Sequence, residues 1–309
     1  MKLLKLVPAD TKIPFLKFAR AAVIASIAAF LGSIILFFAV GLNLGIDFRG
    51  GTLIQIQTQG PADIGNLRSQ VGGLGLGDVQ IQEFGAADEV LIRVEQQAGG
   101  EEAQQGAIAK IKEALGSSVT YRRTEVVGPT VSGELARDGT IAVLSAILAI
   151  LIYIWFRFEW QFAVGAVIAL VHDVGLTIGI FTILQLQFDL STIAALLTIV
   201  GYSLNDTVVV YDRVRENLRK YKRTPIDELL NLSINDTLSR TVLTSVTTLL
   251  ALLALYTLGG EVIRGFVFAM IWGVLIGTYS SIAIASPVLM YLGVKRDWSD
   301  NPGEEKVAG

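Results

Sequence analysis

Apolar positions in this chain are gathered into long runs interrupted by a single polar block. The first run extends from Ala21 to about Leu42, and at about 1.5 Å per residue a helix of that length covers roughly 33 Å, enough to cross a bilayer's hydrocarbon core. Five more follow at Ile141 to Phe156, Phe162 to Leu184, Leu190 to Tyr211, Arg240 to Leu258 and Val262 to Leu292. The pattern predicts six transmembrane helices. Gly259-Gly260 should turn the chain between the last two, leaving Phe266 to Leu289 as the bilayer part of the sixth. Ala39-Val40-Gly41 resembles a signal-peptide cleavage site, yet the preceding run exceeds the usual apolar core of about 7 to 15 residues, so a retained helix is expected.

Residues 43 to 133 contain no run able to span. Thr52 to Gln57 alternates as a strand, Ala62 to Val71 suits a short helix after Pro61, and Val79 to Phe84 and Val90 to Val94 read as two strands across a turn. Glu101 to Leu115 places Ile108, Ile111 and Leu115 on one helical face, and Val119 to Val127 is a fourth strand. The order βαββαβ is that of a ferredoxin-like α+β domain, one sheet with two helices on one face. The expected organisation is a cytoplasmic N-terminus (1–20), a first transmembrane helix (21–42), a periplasmic ferredoxin-like domain (43–133), transmembrane helices two to six (134–292) and a cytoplasmic tail (293–309).

Composition agrees, with 52% hydrophobic and 17% charged residues against about 25% charged in soluble domains. A net charge of −3 gives no reason to expect a nucleic-acid partner. With no cysteine and His172 as the sole histidine, neither a disulfide nor a Cys/His metal site is expected. Orientation is read from short loops. Arg213, Arg215, Arg219, Lys220, Lys222 and Arg223 crowd the loop after the fourth helix, whereas Gln185 to Asp189 before it carries no Lys or Arg. The basic side is therefore taken as cytoplasmic, in agreement with Lys2, Lys5, Lys12, Lys17 and Arg20 at the N-terminus and Lys295-Arg296 in the tail.

The fourth helix carries Asn205 and Asp206 well inside its apolar stretch. A buried ionised Asp costs about 2.5–3.5 kcal/mol on insertion scales, so such residues face a bundle interior or water and have a function. Thr198, Tyr202, Asn205, Asp206 and Val209 share one helix face, which should look toward other helices. Arg240 opens the fifth helix, with Thr244, Thr247, Thr248 and Ala251 continuing its face. A proton pathway through Asp206, Arg240 and Asn205 is the leading expectation, with His172, Asp173 and Thr247 as further candidates. A snorkelling cation at Arg240 and a static interhelix hydrogen bond at Asp206 are the structural alternatives. For His172 and Asp173 a neutral, hydrogen-bonded pair that only fixes helix packing is the alternative to a proton relay, since adjacent residues point about 100° apart and cannot both line one path. Gly265, Ala269, Gly273 and Gly277 read as a packing stripe.

In the polar block, GIDFRGG at Gly45 to Gly51 is a hinge motif, with Asp47 and Arg49 spaced to share a strand face and Gly50 and Gly51 free to take unusual backbone angles. It lacks the strand–loop–helix context of a phosphate loop, and no Walker sequence occurs. Neither a catalytic hydrolase site nor a cofactor is expected, so work must draw on an ion gradient or a partner.

These residues carry a family resemblance. GIDFRGG, VGPTVSGEL before the second helix, HDV in the third, GYSLNDTVVVYDRVREN through the fourth, LSRT opening the fifth and GFVFAMIWGVLIGTYSSI in the sixth resemble the SecF branch of the SecD/SecF family, accessory subunits of the bacterial Sec protein translocase. The resemblance implies a fold related to the resistance-nodulation-division transporters and a location in the bacterial inner membrane. It implies SecD as partner, beside the SecYEG translocon, a small accessory subunit, the translocating preprotein and membrane lipids. It further implies proton flow that promotes preprotein translocation and release, with Asp206 and Arg240 at the family's functional acid and base, and a pathway that SecD completes. Two other classes compete: a proton-driven small-molecule or lipid exporter of the resistance-nodulation-division type, and a structural scaffold. An outer domain of about 90 residues leaves little room for a drug-sized pocket, and a scaffold does not explain Asp206.

Overall fold

The computed structural model describes residues 8 and 11–294. The outermost N-terminal lysines, the Lys295-Arg296 pair and the expected cytoplasmic tail beyond Val294 lie outside the described residues. Helix α1 (Ala19–Ala39), entered through a 3₁₀ turn at Phe15–Phe18, leads to a one-turn helix α2 (Ile46–Arg49). Then come β1 (Gly51–Thr58), α3 (Ile64–Gly72), β2 (Val79–Phe84), β3 (Ala86–Val94), α4 (Gly100–Leu115) and β4 (Val119–Val127). The membrane half follows as α5 (Pro129–Arg157), α6 (Trp160–Leu184), α7 (Leu190–Lys220), α8 (Ile226–Leu258), α9 (Arg264–Ser280), a π-helical stretch Ser281–Ala285 and α10 (Ser286–Leu292). Among the described residues six helical stretches are long and apolar enough to span, the sixth being Arg264–Leu292.

The sheet order is β2-β3-β1-β4, antiparallel throughout, the ferredoxin-like arrangement expected from the βαββαβ order. Alternation in β1 sends Ile54 and Ile56 into a core with Val71 of α3, Ile111 of α4 and Ile92 of β3. Asp63 caps α3 by accepting the Asn66 amide at 2.9 Å, which starts that helix just after Pro61. On the opposite sheet face Leu53 and Leu91 meet Ile46 of α2.

In the membrane half, glycines set how closely helices approach. A Cβ on Gly273 would lie 2.2 Å from Ile199, and one on Gly277 3.1 Å from Ser203, so α9 lies directly against α7. Gly265, in contrast, faces open space and does not belong to that contact.

Four elements differ from the sequence expectation. GIDFRGG forms a helical turn rather than a strand extension, so Asp47 and Arg49 point to different sides; Gly50, at φ +70°, stops the turn and admits the strand. Helix α5 starts at Pro129, immediately after Gly128, well before the apolar run. Helices α7 and α8 both continue past their apolar runs, because Val214 and Leu218 of one pack on Leu229, Leu230 and Ile234 of the other. Arg213, Arg215, Arg219 and Lys220 therefore sit on the last turns of α7, leaving only Lys222 and Arg223 in the connection.

Candidate functional site

Two carboxylates lie among the spans, each held by hydroxyl donors from neighbouring helices. Asp206 of α7 is half-buried; Thr241 of α8 donates to its Oδ1 at 2.6 Å and Ser281, first residue of the π-helical stretch, donates to its Oδ2. Asp173 of α6 is fully buried. Its Oδ2 accepts from Ser203 of α7 and Ser280 of α9, both at 2.6 Å, while its Oδ1 lies 2.9 Å from His172 Nδ1. Adjacent serines thus tie the last span to both acids. The side chains of His172 and Asp173 meet as the hydrogen-bonded pair that the sequence reading weighed against a relay. His172 Nε2 is buried without a hydrogen-bond partner.

The π-helical stretch has a local cause. Pro287 supplies no N–H, and its ring would crowd the preceding turn of a regular helix. Widening that turn avoids the clash, and Ser286 Oγ donates to the Ser281 carbonyl at 2.9 Å. The far end is pinned where Tyr211 Oη donates to the Ala285 carbonyl at 3.0 Å. Gly165 leaves room for that phenol, since a Cβ there would lie 2.2 Å from Tyr211 Oη.

Arg240 is exposed and makes no hydrogen bond or ion pair with Asp206, acting on it only through space. Asn205 and Thr198 are exposed. Thr247 is likewise exposed and donates to its own helix at Leu243 and Thr244. The α7 face expected to look toward other helices is therefore divided, with Asp206 half-buried and Asn205 and Thr198 exposed; Arg240 and Thr247 of α8 are exposed as well. Sequence reasoning missed Thr241, Ser203, Ser280 and Ser281. Their only signal was a set of hydroxyls inside apolar runs.

Gly45 to Gly51 tie the ferredoxin-like domain to the membrane half. The Gly45 amide donates to the Phe188 carbonyl at 2.8 Å, and Asp47 Oδ2 accepts the Leu190 amide at 3.0 Å, satisfying an orphan donor at the start of α7. Asp189 caps the same helix with a full capping box. Arg49 borders a polar cleft with Asp78, Gln80, Arg93 and Glu95. Arg93, also unforeseen, donates through Nη1 to Asn43 Oδ1 at 3.0 Å and to the Leu44 carbonyl at 3.1 Å, fastening β3 to the linker. Burial, and then the nearby Arg49, lower its pKa from the ordinary arginine value. Among the described residues no group of His, Asp and Glu side chains is arranged to hold a metal.

The family description "Protein export membrane protein SecD/SecF, C-terminal" matches residues 107–295, and "SecD/SecF GG Motif" matches residues 35–62. The chain belongs to the SecD/SecF family. It is 50% identical to the protein translocase subunit SecF of Rhodobacter capsulatus, covering 95% of this chain and 93% of that one. To SecF of Magnetococcus marinus it is 48% identical over 96% and 97% of the two chains. It also resembles the crystal structure of SecDF, a translocon-associated membrane protein from Thermus thermophilus, with a TM-score of 0.84 and 38% identity over 92% of this chain and 39% of that longer one. A super-membrane-facing form of SecDF superposes less closely, at a TM-score of 0.68. The SecD/SecF chain is a polytopic helical membrane protein of a bacterial membrane, with its ferredoxin-like domain between the first two spans.

Proposed function

We propose that this SecD/SecF chain is the SecF-type subunit of the Sec protein translocase and that, paired with SecD, it uses proton flow past Asp206 to promote preprotein translocation and release beside SecYEG. The observation that carries this reading is the Asp206 carboxylate, held by Thr241 and Ser281 among helices that also expose Asn205, Arg240 and Thr247. In a lone chain those exposed side chains meet lipid, where polar groups are costly, so a second set of helices is their natural cover. SecD supplies that cover and completes the path; the small accessory subunit and preprotein approach the assembled pair.

The serines provide the coupling. Each hydroxyl has one hydrogen and two acceptors in reach: Ser281 faces Asp206 Oδ2 and the Thr278 carbonyl at 3.0 Å, and Ser280 faces Asp173 Oδ2 and the Gly277 carbonyl at 3.2 Å. When a proton reaches Asp206, the Ser281 hydrogen turns to Thr278 and its oxygen accepts from the new carboxyl O–H. No helix has to break. Because Ser280 precedes Ser281, a shift of the π-helical stretch at one acid is felt at the other, and His172–Asp173 serves as the second proton-holding pair. Reconstitution of this chain with its SecD partner in proteoliposomes under an imposed proton gradient tests the reading. Gradient-dependent proton influx together with stimulated preprotein release is the expected result; a pair that assembles yet conducts no protons overturns it.

The basic end of α7 and α8 is assigned to the cytoplasm, which puts the ferredoxin-like domain in the periplasm and both termini inside. The chain lacks cysteine, so single cysteines at Lys222 and Arg223 report cleanly. They are expected to resist a membrane-impermeant maleimide in intact cells and to react after permeabilisation. Labelling from outside reverses the orientation.

A further inference from the structure

At the basic end of the membrane half, Arg157, Asp212, Arg215, Glu216, Arg219 and Lys220 line a cavity of about 530 Å³ between α5 and α7. We infer that this cavity is a binding site for the phosphodiester headgroup of an anionic phospholipid. The first argument is charge. Four cations line the cavity against two carboxylates, and one of those, Glu216, is engaged by Arg213 at 2.7 Å. Asp212 is left to bridge two guanidiniums, accepting from Arg157 Nη2 at 3.0 Å and lying 3.8 Å from Arg215.

The second argument is preorganisation. Arg157 and Arg215 both lie over the ring of Phe158, 4.9 and 5.6 Å from its centroid, and that ring is fixed in the core against Phe162 and Tyr211. Two like charges are thus held side by side by a rigid aromatic platform, an arrangement that gains from an incoming anion. The third argument is position. Tyr153, Trp155, Phe156 and Trp160 expose more than half of their surfaces at this level, and such aromatics mark the boundary between hydrocarbon and headgroups. A headgroup at that boundary reaches the cavity while its acyl chains lie along Trp155 and Phe156. Basic pockets between helix ends recognise anionic lipids in this way. A phosphate ion in solution shares the charge but cannot use the aromatic flank, which is why the lipid is chosen here.

The test uses the full-length chain in phosphatidylcholine vesicles, with tryptophan quenching by brominated phosphatidylglycerol compared with brominated phosphatidylcholine at equal mole fraction. Stronger quenching by the glycerol lipid is expected. Arg219→Gln with Lys220→Gln, both exposed on the last turn of α7, should lower the relative association constant roughly fivefold for each cation removed. Glu216→Gln, which adds net positive charge, should raise it, a gain that misfolding cannot mimic. Equal quenching by the two lipids, or an unchanged preference in both variants, overturns the site. Loss of the preference in excess inorganic phosphate, beyond that in chloride of equal ionic strength, shows that the cavity takes free phosphate and overturns the lipid assignment.

Discussion

Asp206→Asn is expected to leave the subunit folded and able to pair with SecD while abolishing gradient-dependent preprotein release. The amide has nearly the carboxylate's size, and its oxygen still accepts from Thr241 or Ser281. A hydroxyl that loses its place on the second oxygen has a fallback: Ser281 turns to the Thr278 carbonyl, already 3.0 Å away. Packing is therefore little disturbed. What disappears is the exchangeable proton. Each charge crossing 100 mV is worth about 2.3 kcal/mol, so one or two protons bias states separated by a few kcal/mol. A variant that cannot titrate forfeits that bias completely, and release should fall to the level seen without a gradient. Proton influx and preprotein release are read in the same proteoliposomes, with copurification of the partner as the assembly control. Full activity in Asp206→Asn would show the carboxylate to be only a packing group.

Ser281→Ala tests the proposed coupling apart from the proposed proton site. It keeps the acid but removes the hydroxyl that links it to the last span, and its consequence depends on a feature that one-dimensional reading does not reach. Periodicity shows an apolar run through residues 262–292 and says nothing of a π-helical stretch, because Pro287 sits in a context that reads simply as membrane. The six spans were legible, as was the alternation that builds the sheet, since both follow from which side chains water excludes. Asp206 was legible for the converse reason, a charge where none belongs.

Other features were not legible because their causes lie across the fold. The lower turns of α7 and α8 bury only one face each, so the apolar runs end while the helices continue. Asp47 and Arg49, two residues apart, match a strand spacing; only the contact of Asp47 with the Leu190 amide shows that the segment serves as a clamp on α7. Arg93 looked like one charge within a strand, and its role in fastening β3 to Asn43 and Leu44 depends on a neighbour fifty residues away.

Gly51→Ala should destabilise the ferredoxin-like domain more than any other single methyl addition in the GIDFRGG motif. Gly51 has φ +112°, in territory that residues with a side chain enter at a cost of about 1–3 kcal/mol. A Cβ there would also lie 2.4 Å from the Val94 carbonyl. That oxygen is backbone of β3, paired in the sheet with β1 and β2, so relief requires moving a central strand. Gly50 makes the informative contrast. Its φ of +70° with ψ of 179° is just as restricted, but the nearest obstruction, at 2.9 Å, is Gln96 Oε1, the far end of a flexible side chain. Gly75, at φ +69° with nothing within 4 Å, carries backbone strain alone. The expected order of destabilisation is Gly51→Ala, then Gly50→Ala, then Gly75→Ala, the first losing on the order of 3 kcal/mol or more because strain and overlap combine. Thermal unfolding of the three full-length variants in one detergent measures it. Equal losses at Gly51 and Gly75 would mean that β3 yields freely at Val94 and that conformational freedom alone explains the paired glycines.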